Sequence, residues 1–153
     1  MTDSAGDSLT LSSPVGLANT SLPPEKRFDE WNALKKIIDS VHKCKLFRER
    51  EIWWYFAGEN IGHEVSGKGP KFLRPILVVR KYGSQSFFGV PLSSKSHFGI
   101  WYTKVVVRDA LETALLSQSG SFSANRLFGK ICRISEEDFG YVLKPLGELL
   151  FKK

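Results

Sequence analysis

Residues 50–56 read REIWWYF, 62–64 GHE, 74–79 RPILVV and 90–95 VPLSSK, and the order of these four stretches decides the fold. Glu51–Phe56 is dense in β-formers, with Ile52, Trp54 and Phe56 alternating against Trp53 and Tyr55, as in a strand with both faces partly covered. From Glu59 to Phe72 the alternation gives way to glycine and polar residues, which marks a loop. Arg74–Lys81 carries a proline at its start, where a strand tolerates one, and Ile76-Leu77-Val78-Val79 is the best central-strand segment in the chain. Tyr82-Gly83-Ser84-Gln85 is a tight connection into Ser86–Leu92, so these two runs are expected to form an antiparallel hairpin. The polar loop then places His63, Glu64 and Arg74 between two strands, and the third run ends in the hydroxyl pair Ser93-Ser94.

Outward from this segment, Phe98–Val107 is another β-rich run, and Lys130–Ile134 reads as a last strand. Residues 109–118, DALETALLSQ, suit a short helix about as well as a strand. Ser135 with Asp138 three residues later forms a capping signal for a helix whose apolar side is Phe139, Val142, Leu146 and Leu149, and which Pro145 is expected to kink. Upstream, Phe28, Trp31, Leu34, Ile38 and Val41 recur at helical spacing after Pro23-Pro24, predicting an amphipathic helix over about 25–43. Its bland role is packing over an open end of the sheet; its sharper one is contact with a partner or RNA, since the polar side leans basic. Residues 1–24, rich in Ser, Thr, Gly and Pro, have too little apolar surface to offset ordering and are expected to be a disordered arm.

Short strands, tight turns and terminal helices predict a mainly β, α+β domain: a strongly curved antiparallel sheet or partly open barrel with helices at its margins. The 153 residues, 42% hydrophobic and 25% charged, supply one core and leave no room for a second. They divide into the arm 1–24, a helical extension 25–49 and a barrel domain 50–153. The net charge of +6 favours an anionic partner such as nucleic acid, a statement about association rather than fold. Cys44 and Cys132 stand apart, without CxxC or clustered histidines, so neither a disulfide framework nor a zinc site is suggested. Without a leader or an apolar run of about 20 residues, the expected setting is the reducing cytoplasm, with no membrane contact.

Several chemistries lack their signatures. No HExxH or carboxylate cluster accompanies His42, His63 and His97; GKGP at 67–70 is not a P-loop; and no G-x-S-x-G elbow occurs. What remains is acid–base work on a phosphodiester with no metal or other cofactor. RNA brings its own nucleophile, the 2′-OH, so a site needs a base, an acid and a cation for the charge on phosphate. His63, Glu64 and Arg74 are the right types. Each also has an ordinary explanation: a solvated histidine, an exposed Glu64–Arg74 or Glu64–Lys71 pair worth about 0–1 kcal/mol, an arginine bridging carbonyls at a barrel rim, and turn serines at 93 and 94. On residue types alone the ordinary readings prevail.

The order of the motifs resembles the MazF/PemK toxins, the ribonucleases of bacterial toxin–antitoxin pairs. Arg50-Glu51-Ile52-Trp53 is similar to the family's G-[DE]-[IV]-W strand with the glycine replaced. Gly62-His63-Glu64 resembles its G-x-E loop, Arg74-Pro75 and the strand after it resemble its RP strand, and Ser93-Ser94 stands for its Thr or Ser pair. Gln118 and Asn125-Arg126-Leu127-Phe128-Gly129-Lys130-Ile131 resemble its glutamine and R-L-x-x-K-I segment. The likeness spans about residues 50–150. It implies an SH3-like barrel, a homodimer, and a metal-independent, sequence-selective endoribonuclease held inactive by an antitoxin. Carried over, Arg74 stabilises the pentacovalent phosphate, Ser93 orients the scissile phosphate, His63 is base or acid, and Glu64 supports the site or contacts a base. Lys71, Ser94, Lys95 and Gln118 are RNA contacts. Leu115 and Ser117 stand where some members have a catalytic Arg and Asp, the loop Val65–Leu73 is longer than usual, and residues 1–49 are additional. The rival is a noncatalytic SH3-like module binding protein or nucleic acid; a third possibility is a toxin that blocks a protein target.

Overall fold

The computed structural model describes residues 25–152; the expected arm 1–24 lies outside them. Alternating apolar residues become strands β1 (Glu51–Phe56), β2 (Leu73–Lys81) and β3 (Ser86–Ser93), matching the sequence reading almost residue for residue. β1 pairs β2 antiparallel, with Ile52 opposite Leu77 and Tyr55 opposite Arg74. β2 pairs β3, and the connection closes with the Tyr82 N–H donating to the Ser86 carbonyl at 3.1 Å. Four further strands follow: β4 (Tyr102–Val107), β5 (Ala110–Leu115), β6 (Gly120–Ser123) and β7 (Leu127–Arg133). They complete an open antiparallel sheet in the order β4-β5-β3-β2-β1-β7, with β6 also on β3. β3 shares one edge between two neighbours: its first half pairs β6, and its last two residues pair β5.

Two helices flank the sheet, α1 (Phe28–Asp39) and α2 (Glu136–Leu150). The expected architecture, α+β with a partly open barrel-like sheet and a helix at each end, is the one observed. Ser135 caps α2, its Oγ accepting from the Asp138 N–H at 3.1 Å. Pro145 lies inside that helix and lacks the amide that would meet the Tyr141 carbonyl. The Thr103 hydroxyl of β4 donates to this carbonyl instead, at a long 3.5 Å.

Both sheet faces are apolar and both are covered. One core joins Ile52, Leu77, Val90 and Leu92 to Val142 and Leu146 of α2; the other gathers Trp53, Tyr55, Ile76, Val78 and Phe87 around Phe47 and Leu127. Helix α1 adds a third, smaller cluster, in which Trp31 and Ile38 meet Phe72.

Boundaries differ from the sequence reading at identifiable places. α1 starts at Phe28 and ends at Asp39, so Val41 stays exposed. β4 begins at Tyr102, because Gly99, at φ 120°, breaks the extended run and leaves Phe98 86% exposed. The ambiguous stretch 109–118 is both things: β5 to Leu115, then a 3₁₀ turn over Leu116–Gln118. It is set off from β4 by Arg108 and Asp109, both at positive φ, which fits a tight hairpin between right-twisted strands. β6 was not foreseen, and β7 starts three residues before Lys130. Among the described residues no helix is long and apolar enough to cross a membrane.

Candidate functional site

Arg74 opens the second residue of β2 and points its guanidinium across the rim of the sheet. Nε donates to the Ser66 carbonyl at 2.9 Å, and one terminal nitrogen donates to the Leu92 carbonyl at 3.1 Å. These two bonds hold the β1–β2 loop against β3, and among the described residues the other terminal nitrogen has no hydrogen-bond partner. Arg74 thus bridges carbonyls at the rim, as its ordinary reading had it, and still has donors to offer. Among the described residues no carboxylate forms an ion pair with it. Burial lowers its pKa from the ordinary arginine value, with Tyr55 pulling the other way. Arginine stays charged throughout the ordinary pH range, and among the described residues this half-buried cation has no carboxylate counter-ion.

Arg74 lines a groove of about 550 Å³ together with Ser93, Ser94, Trp54 and Arg108. Ser93 is buried; its Oγ accepts from the Lys95 N–H at 3.2 Å, a local turn bond. Ser94 and Lys95 are exposed. Across β5 the Ser93 row continues to Thr113, whose hydroxyl accepts from Lys104 Nζ at 3.0 Å. Trp54, 42% exposed, gives the groove an aromatic wall.

Glu64 and Gln118 line a second depression of about 310 Å³, with Tyr55 and Arg126. The Glu64 carboxylate accepts from the Ile61 N–H at 3.2 Å, closing its own turn. Gln118 fastens the loop from the other side: its Oε1 accepts from the Val65 N–H at 3.1 Å, and its Nε2 donates to the His63 carbonyl at 3.3 Å. The imidazole of His63 is exposed and lines neither depression. Lys71 sits apart, its ammonium 4.7 Å over the Phe128 ring. The structure therefore groups Arg74 with Ser93 and Ser94, and Glu64 with Gln118. It does not bring His63, Lys71 or the two groups into one cluster.

Two residues that sequence reasoning gave no role also line the second depression. Tyr55, opposite Arg74 and 2% exposed, has its phenol pushed up to about 12 by burial, with Arg74 and Arg126 acting in the opposite direction. Arg126 donates to the Phe56 and Ala57 carbonyls at 2.7 and 3.3 Å, and burial lowers its pKa as it does that of Arg74. Two cations, neither paired with a carboxylate among the described residues, flank this one phenol. The signal for Tyr55 was its strand position; for Arg126, its place in the R-L segment.

A similar fold occurs in solved structures. MazF from Deinococcus radiodurans superposes with a TM-score of 0.57 at 17% identity, over 69% of this chain and 97% of that one. The chain has a MazF-type fold. An endoribonuclease from a mycobacterial species in complex with its cognate antitoxin matches at 0.52 and 9% identity, covering 69% of this chain and 95% of its own. MazE–MazF from D. radiodurans matches at 0.52 and 14%, over 71% and 100%. No protein-family model and no curated protein matches the sequence.

Proposed function

We propose that this chain is a metal-independent, sequence-selective endoribonuclease, the toxin of a toxin–antitoxin pair, that cleaves RNA by attack of the substrate's own 2′-OH. The observation that carries the reading is Arg74: a half-buried guanidinium with no carboxylate partner among the described residues, fixed by two carbonyls and lining a groove beside Ser93 and Ser94 on a MazF-type fold. A cation held in advance stabilises charge that grows on phosphate oxygens without reorganising during the reaction. Ser93 and Ser94 offer hydroxyls to the scissile phosphate, Trp54 a face for a base, and Lys71, Lys95 and Gln118 flanking contacts. Glu64 and His63 on the adjoining loop are the acid–base groups of this scheme. Products would be a 2′,3′-cyclic phosphate, or its hydrolysis product, and a 5′-hydroxyl. The partners are RNA, an antitoxin of the kind bound to the mycobacterial neighbour, and a second copy of the chain.

A second reading, a noncatalytic nucleic-acid or protein-binding module, is favoured by one observation: the His63 imidazole lies outside both depressions. Incubating the full chain with a long mixed-sequence RNA in EDTA, beside Arg74→Ala and Arg74→Lys, separates the two. The nuclease gives discrete cuts with new 5′-hydroxyl ends, slowed about 10²–10³-fold or more in Arg74→Ala. Intact RNA with affinity and salt dependence lost in Arg74→Ala establishes the binding module. RNA neither cut nor bound refutes the nuclease.

A further inference from the structure

The chain just before α1 reaches into the loop that carries His63, Glu64 and Ser66. Lys26 Nζ donates to the Asn60 carbonyl at 2.5 Å and to the Gly62 carbonyl at 3.2 Å. The Asn60 N–H donates to Ser66 Oγ at 2.8 Å, and its side-chain amide donates to the Ala57 and Val65 carbonyls at 3.0 and 2.7 Å. The Ser66 carbonyl in turn accepts from Arg74 Nε. Two loop residues thus connect Lys26 to Arg74 by hydrogen bonds at every step.

Other contacts press the same segments together. The Arg27 N–H donates to Glu59 Oε1 at 2.8 Å, and its guanidinium lies 4.0 Å over the ring of Phe72, where the loop ends. Trp31 packs against Gly58, whose φ of +85° only glycine adopts readily, and a Cβ there would overlap the indole. The loop has almost no core of its own: Ile61, Gly62, His63 and Glu64 are all exposed. A loop made this way opens easily unless something outside it holds it.

We infer that the Lys26–Trp31 segment is a clasp that fixes the β1–β2 loop, and that Lys26 is a positioning residue for Arg74, acting through Asn60 and Ser66. The second half rests on the role proposed for Arg74; the first does not. Lys26 touches neither depression, so its influence on RNA passes through the loop.

The test uses the full chain as Lys26→Met, Lys26→Arg, Arg74→Ala and the Lys26→Met/Arg74→Ala double variant, read by amide hydrogen exchange and by RNA turnover. Lys26→Met is expected to speed exchange across 59–66 roughly tenfold, the factor one charge-assisted hydrogen bond supplies, with β1–β3 protection unchanged. Turnover falls by a similar factor, Lys26→Arg restores both, and in the Arg74→Ala background Lys26→Met has no further effect. Unchanged exchange overturns the clasp. Faster exchange with effects on turnover that simply multiply overturns the link to Arg74. If Arg74→Ala leaves RNA cleavage and binding untouched, the proposed function fails, and the exchange result alone still decides the clasp.

Discussion

Strands β1–β3 and the loop that joins β1 to β2 are neighbours in sequence and opposites in construction. The strands bury Ile52, Ile76, Leu77, Val78 and Val90 completely, on two faces, each covered by other elements. The loop buries almost nothing beyond Ala57 and Phe72 and depends on side chains brought from elsewhere, Lys26 and Gln118 above all. Hydrophobic burial fixes the sheet whatever the exact partners, whereas a loop fixed by hydrogen bonds has only those bonds to specify it. The candidate site lies on the seam, with Arg74 rooted in the first kind of structure and bonded to the second.

Removing core volume breaks the sheet side of this comparison. Leu77→Ala is expected to cost about 2–5 kcal/mol through lost burial and the cavity left behind. Denaturant unfolding should show it as a lower midpoint with an unchanged slope. A small cost would mean that the sheet collapses around the gap and is less tightly packed than its full burial indicates.

Tyr55 sharpens the comparison with pH. Its folded pKa, about 12, lies above the ordinary value of 10.0. The neutral phenol therefore contributes stability that is fully present below pH about 10 and is lost as pH rises through about 12. The difference amounts to about 2–3 kcal/mol. Tyr55→Phe should flatten the alkaline fall in unfolding free energy over that window, and a fall of unchanged depth would show that another group causes it.

Gly58→Ala tests the loop side with the smallest expected loss of global stability, about 1–3 kcal/mol from a strained φ and displacement of Trp31. Its signature is local: trypsin should cut at Lys68 or Lys71 faster, while the β2–β3 hairpin keeps its exchange protection. Protection lost evenly across the chain would mean that loop and sheet open as one unit.

Sequence alone disclosed the sheet side well, because alternation is written into each strand; β1 was read to the residue. β6 escaped because Gly120-Ser121-Phe122-Ser123 has one large apolar residue and becomes a strand only by pairing with β3. The late start of β4 escaped because a single glycine conformation outweighed the three β-prone residues Phe98, Ile100 and Trp101. Within the site, Arg74 and Ser93 were legible as rim residues following motif order. Tyr55 lay in plain view but acquired meaning only from its register opposite Arg74. The bond from Lys26 to Asn60 spans 34 residues, and no local pattern encodes such a meeting. His63 and Glu64, adjacent in sequence, part company because the Glu64 carboxylate turns back to its own loop.

The proline inside α2 has a consequence for assembly of the fold. Without it, every interior carbonyl of the helix would be satisfied within the helix, and only apolar contact would hold the helix to the sheet. The interior carbonyl left open at Tyr141 has a hydroxyl facing it at Thr103, so Pro145 exchanges a bond within the helix for a long one that ties the helix to β4.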